Sequence, residues 1–104
     1  MASGRLGATD LTANSEAVVY TVPASKLASL TINAVNKSGA DAKVRLALAS
    51  GSTAANSEFI EYNTTIPSGG VLERTGIMLD AGKHVTANLT SGSGVNVVVY
   101  GYEV

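Results

Sequence analysis

The sequence predicts an all-β fold, a single antiparallel β-sandwich of seven or eight strands, with jelly-roll and immunoglobulin-like topologies both open. Three observations carry this. Apolar and polar residues alternate along run after run, as in LTINAVN (30–36) and KVRLALA (43–49), because successive strand side chains point to opposite faces. The breaks between runs are short and built from Gly, Ser, Asn, Asp and Pro, the residues that turns require. No window holds the 3.6-residue apolar period of a helix.

The first sixteen residues lack periodicity, and Leu6 and Leu11 are their only large apolar anchors. Residues 1–16 therefore read as an extended N-terminal arm and residues 17–104 as the sandwich domain. The arm either frays or orders on a neighbouring subunit, which would employ Arg5, Leu6 and Leu11. AVVYTV (17–22) is β-branched and aromatic and predicts the first strand, ended by Pro23. The next two runs predict a hairpin folded about Gly39, with Ala34 opposite Val44, Ile32 opposite Leu46 and Leu30 opposite Leu48. Thr31, Asn33, Lys43, Arg45 and Ala47 would then form its outward face. GSTAANSE (51–58) predicts the longest exposed loop. Residues 59–66 alternate again, with Ile60, Tyr62 and Ile66 expected on one face and Phe59, Glu61, Asn63 and Thr65 on the other. The turn PSGG (67–70) follows, then a strand over 71–79 interrupted at Gly76, where a bulge is expected. Strands over 83–90 and 95–104 complete the set. The last carries apolar residues on both faces, which fits a central position or an edge covered by another subunit.

Composition excludes several function classes. The 104 residues carry 14% charged side chains, low against a usual ~25%, and a net charge of −1 with no basic run. Nucleic-acid binding thus has no electrostatic footprint. Absence of cysteine removes disulfides, thiolate metal sites and thiol nucleophiles. The N-terminal residues show no apolar signal segment, so a chain made and used in a soluble state is expected. A surface of small, uncharged residues is easily desolvated and suits packing against copies or partners.

Catalytic chemistry finds no support. A lone histidine, His84, is expected to be a solvated strand residue and not a metal ligand. Glu58 and Glu61, three apart on a strand, should face opposite ways. Glu61 and Glu73 could meet across adjacent strands but lack the aromatic platforms of a glycosidase; pairing of either with Arg74 or Arg45 is the simpler expectation. No G-x-S-x-G elbow and no phosphate loop is present. Three Asn-x-Ser/Thr triplets, at Asn36, Asn63 and Asn88, fall within chance in so Asn-, Ser- and Thr-rich a chain. No enzyme activity, cofactor or metal is expected.

The phrases GRLGATDL (4–11), VVYTVPA (18–24) and GGVLERTGIMLDAGKHV (69–85), with LTINAVNKSGADAKVRLAL (30–48) and the closing VVVYGYE (97–103), resemble small virion structural proteins of tailed bacteriophages, of cyanophage type. The resemblance spans nearly the whole chain. It implies a β-sandwich located in the virion after synthesis in the host cytoplasm. Such proteins include capsid decoration or cement proteins, typically trimeric and bound to the outer shell, and tail-fibre or baseplate accessory proteins. Partners would be copies of the chain and the major capsid protein, with no nucleic acid and no membrane. A carbohydrate-binding sandwich, using the 51–58 loop with Tyr62, Tyr100 or Tyr102, is the alternative of another class. Candidate interface residues are Arg5, Leu6 and Leu11 in the arm, Lys43 and Arg45 on the outward face, and Val98, Tyr100 and Tyr102 in the last strand.

Overall fold

Eight strands and no helix run through residues 3–104, the residues that the computed structural model describes. In chain order they are β1 (Ser3–Asp10), β2 (Glu16–Thr21), β3 (Leu27–Asn36), β4 (Ala42–Ala49), β5 (Phe59–Ile66), β6 (Val71–Asp80), β7 (His84–Ser91) and β8 (Val95–Glu103). They form two antiparallel sheets, ordered β1-β8-β3-β6 and β2-β7-β4-β5. The first strand pairs with the eighth, the second with the seventh, the third with the sixth and the fourth with the fifth. That nesting is one long antiparallel ribbon wrapped on itself, the topology of a jelly roll, so the immunoglobulin-like alternative falls away.

Two expectations change here. Residues 3–10 are not a detached arm: β1 is an edge strand hydrogen-bonded to β8 within the same chain. The reason is tertiary. Val95, Val97 and Val99 are buried and the opposite face of β8 is also half-covered, so β8 sits centrally and β1 satisfies its outer backbone groups. Nor do β3 and β4 pair. Strand β3 bonds to β6 and β8, and β4 to β5 and β7, so Leu30, Ile32 and Ala34 face Val44 and Leu46 across the interior instead of lying beside them. Alternation specifies which face is buried, and side-by-side and face-to-face neighbours satisfy it equally.

The 37–41 crossover between these strands is organised by Asn36, which is fully buried. Its Nδ2 donates to the carbonyls of Ala40 at 2.8 Å and Ile66 at 2.9 Å. Its Oδ1 accepts from the Ser38 amide at 2.9 Å and the Ser38 hydroxyl at 2.7 Å. With both amide protons engaged and no exposure, Asn36 is no glycan acceptor.

Two polar ties join the sheets at their open sides. On one side Arg74 of β6 pairs with Glu61 of β5, and Thr64 Oγ1 donates to Glu61 Oε1 at 2.6 Å. Glu61 is buried and Tyr62 exposed, the reverse of the expected facing. The register of β4 against β5 shifts on both sides of Leu46, and Asn63 adopts a left-handed φ of 53°, so the strand changes phase. On the other side the Tyr20 hydroxyl of β2 donates to the buried Glu103 carboxylate of β8. There Gly7 of β1 lies directly against the Val19 carbonyl oxygen, closer than any Cβ allows.

The Tyr20–Glu103 tie has a measurable pH signature. Burial, reinforced by the hydrogen bond to Glu103 and its charge, raises the Tyr20 hydroxyl above its ordinary pKa of 10.0. The folded chain therefore keeps a proton that the unfolded chain releases, so the contribution is full below pH 10 and falls as pH rises further. The slope approaches about 1.4 kcal/mol per pH unit. Denaturant titrations at pH 7 and pH 11 should show this loss in the native chain. Tyr20→Phe, about 2 kcal/mol less stable at pH 7 because Glu103 loses its partner, should lack that component.

Candidate functional site

Each sheet has one face turned to the interior and one turned outward, and the two outward faces differ in chemistry. On the β1-β8-β3-β6 sheet, cross-strand partners share a face, so the registers place Arg5 beside Tyr100, Ala8 beside Val98 and Asn33, Val35 beside Val71, and Tyr102 beside Ser29 and Met78. Leu27 also points outward, and Val104 exchanges backbone hydrogen bonds with it at 2.9 and 2.8 Å, which sets both on that face. Seven large apolar side chains are exposed among the described residues. Five of them, Leu27, Val71, Met78, Tyr102 and Val104, lie here, with Val71 and Met78 each 58% exposed. The charged groups of this face sit at its margins: Arg5 and Asp10 on β1, the latter paired with Lys37 at 3.0 Å, and on β6 Glu73, which accepts from the Tyr100 hydroxyl at 3.3 Å, and Asp80, which lies beside Leu27 and pairs with Lys83 at 3.1 Å. Beside β1 the surface dips into a cleft of about 290 Å3 lined by Arg5, Ala8, Thr9, Asp10, Asn96 and Val98.

The outward face of the β2-β7-β4-β5 sheet is polar and partly covered. The 50–58 segment leaves β4, crosses β7 and reaches β2, where the Ala54 amide donates to Glu16 Oε2 at 3.0 Å. Its own turn is held by Glu58, which accepts from the amides of Ala55 at 2.8 Å and Ser50 at 3.1 Å. Those bonds, Ala55 first, hold the Glu58 carboxyl below its ordinary range. Beneath this strap Ala47, Ala49 and Thr86 are buried although they point outward. Farther along, the Arg45 guanidinium lies 4.0 Å over the Tyr62 ring, and its Nε donates to Asn63 Oδ1 at 2.9 Å. Phe59 meets the same Tyr62 ring edge-on at 5.1 Å.

The residues expected to form an interface thus divide three ways. Arg5, Val98, Tyr100 and Tyr102 come together on the apolar face. Lys43 and Arg45 stand on the opposite side of the molecule. Leu6 and Leu11 pack within their own chain: pairing of β1 turns a half-buried Leu6 onto the core, and Leu11, whose amide bonds to the Val95 carbonyl at 2.9 Å, is buried. Sequence reasoning missed Val71, Met78, Leu27 and Val104; apolar residues at outward positions of β6 were the available signal, obscured by the bulge at Gly76.

Glu61 points between the sheets and Glu73 outward from the other sheet, so the two carboxylates do not converge. His84 is half-buried, with Nδ1 2.8 Å from Thr21 Oγ1, and no cluster of three metal-binding side chains occurs among the described residues. The chain matches no protein-family model, no curated protein and no solved structure.

Proposed function

We propose that this chain is a non-enzymatic structural protein of a bacteriophage virion, and specifically a capsid decoration protein that binds the outer shell and stabilises it through subunit contacts. The observation that carries the reading is the outward face of β1-β8-β3-β6, where Val71, Met78, Tyr102, Leu27 and Val104 expose apolar surface with charges only at the margins. Exposed large apolar side chains concentrated on one face in this way suit a packing surface. Three further points agree with it: the likeness in sequence phrases, a fold shared by many shell proteins, and the low charge of the chain. Its partners in this reading are copies of itself and the major capsid protein. The action is passive. Each copy covers apolar area at about 25 cal/mol per Å2, and many copies on one shell add their effects.

The carbohydrate-binding alternative weakens at its aromatic platform. One face of Tyr62 is already occupied by Arg45 and its edge by Phe59, and Tyr100 and Tyr102 lie on the other sheet.

The test adds fluorescently labelled chain to purified empty shells and to whole particles. Saturable binding to the shell, with a rise in its thermal disruption temperature, is the expected result. Label confined to tails would assign the chain to the tail instead, and no binding to any particle would overturn the virion reading.

A further inference from the structure

We infer that the apolar face of the β1-β8-β3-β6 sheet is covered by the same face of a second copy, related by a twofold axis parallel to the strands. The inference deepens the structural-protein reading by naming the occupant of that face, and it rests on that reading only in the choice of surface.

Extension of this sheet edge to edge is disfavoured. Strand β1 carries a bulge between Arg5 and Gly7, and the β3–β6 pair shifts register between Leu30 and Ile32, next to Gly76 in β6. Bulged edges are poor templates for a further strand. A face is therefore the better surface for association of copies, and the charged side chains of the apolar one lie at its margins.

That face is complementary to itself. The rotation lays the β1 margin of one copy over the β6 margin of the other while keeping positions along the strands. Val71 shares its cross-strand row with Val35, Asn96 and Asp10, so the Val71 of each copy meets the cleft beside Asp10, Asn96 and Val98 of the other. This sets a 58% exposed apolar side chain against the concave part of the surface. Glu73 lies in the row of Asn33, Val98 and Ala8, one position from the row of Arg5 and Tyr100. The acid on one margin thereby comes within reach of the base on the other, twice per pair. An isologous contact requires this property, since every patch must fit its own image.

Size agrees as well. Four strands about 4.8 Å apart and about eight residues long give a footprint of roughly 500 Å2 per copy. Two such faces bury roughly 1,000 Å2, near the lower bound for a specific interface, so a weak, concentration-dependent pair is expected. The opposite face, with Lys43 and Arg45, stays free for another partner.

The experiment is sedimentation velocity of the full chain from about 5 to 500 µM at moderate salt, with circular dichroism confirming that each variant is folded. The expected result is a reversible monomer–dimer equilibrium. Met78→Lys, at an exposed position, should weaken it at least about tenfold, which corresponds to 1.4 kcal/mol. Arg5→Glu and Glu73→Arg should each weaken pairing, and the two together should restore it. Lys43→Glu, on the other face, should leave it unchanged. A monomer at every concentration, a trimer, failure of the double charge exchange to restore pairing, or disruption by Lys43→Glu would each overturn the inference. Shell binding is read in a separate assay, so loss of pairing with shell binding intact would remove this inference alone.

Discussion

Asn36→Ala is expected to lower the free energy of unfolding by about 3 kcal/mol, and Asn36→Asp by more, about 4 kcal/mol at neutral pH. Four hydrogen bonds converge on this one fully buried side chain. Alanine leaves the Ile66 carbonyl, in the interior at the end of β5, without its donor, and releases the Ser38 amide and hydroxyl from the acceptor that shapes the crossover. A buried acceptor stripped of its partner costs the desolvation of that group, not merely the net value of a bond. Aspartate keeps the shape but turns an oxygen toward two carbonyl oxygens that Nδ2 now serves. Ionised, it is an unpaired buried charge aimed at two dipoles of the wrong sign. Protonated, it can serve only one of them. Because the folded chain then prefers the protonated form, the Asn36→Asp penalty should shrink as pH falls toward about 4, the ordinary carboxyl value, whereas the alanine penalty should not. Urea titrations of the three chains at pH 7 and pH 4 measure both effects through their midpoints. Equal midpoints for all three at pH 7 would show that the crossover does not depend on this side chain.

Strand positions and burial were largely legible in the sequence because a single face of each sheet is buried. Thus the alternation of Leu30, Ile32 and Ala34, of Val44 and Leu46, and of Val85, Ala87 and Leu89 matches the interior directly. Pairing was not legible. Val44 and Leu46 present the same pattern whether their neighbours lie beside them or across a gap of about 10 Å, and only the hydrogen-bonding of the whole ribbon decides. Residues 3–10 were missed for a related reason. SGRLGATD has little intrinsic strand preference, and its extended form is imposed by the open edge of β8. Local phase changes were invisible too: Asn63 at positive φ inverts the facing of Glu61 and Tyr62, and nothing in FIEYNTTI announces that.

The candidate surface was legible in part. Arg5, Val98, Tyr100 and Tyr102 were recoverable because a strand that is apolar on both faces, such as β8, presents one face outward wherever it sits. Val71 and Met78 fall on opposite sides of the β3–β6 register shift, so strict alternation does not assign them to a common face. Of the polar ties, Glu61 with Arg74 was among the pairings expected from the sequence, though on one sheet face and not between sheets; Tyr20 with Glu103 was not anticipated. Glu61 and Arg74, like Tyr20 and Glu103, belong to strands in different sheets, and their partnership exists only once the sandwich closes.

Gly101→Ala should be comparably severe, costing about 4 kcal/mol or preventing folding altogether. Gly101 sits in β8 with φ at +150°, a conformation that L side chains rarely adopt. A Cβ there would be driven into the Ser29 carbonyl oxygen of β3, and would lie 3.0 Å from the Ser29 carbonyl carbon and 3.2 Å from the Leu30 Cα. The obstruction is backbone, so no side-chain rotation relieves it. Either β8 moves away from β3, loosening the registers around Leu30 and Tyr102, or the local chain unwinds. Unwinding would also release Glu103 from Tyr20, because the two residues that follow Gly101 lead directly into that tie. Gly82→Ala is the matched comparison. Gly82 too has a positive φ, +79°, but no atom stands within 4 Å of its Cβ direction, so the change should cost only about 1 kcal/mol of backbone strain. Thermal unfolding of the two variants separates the effects. A Gly101→Ala midpoint no lower than that of Gly82→Ala would mean that β8 and β3 approach less closely than this geometry requires.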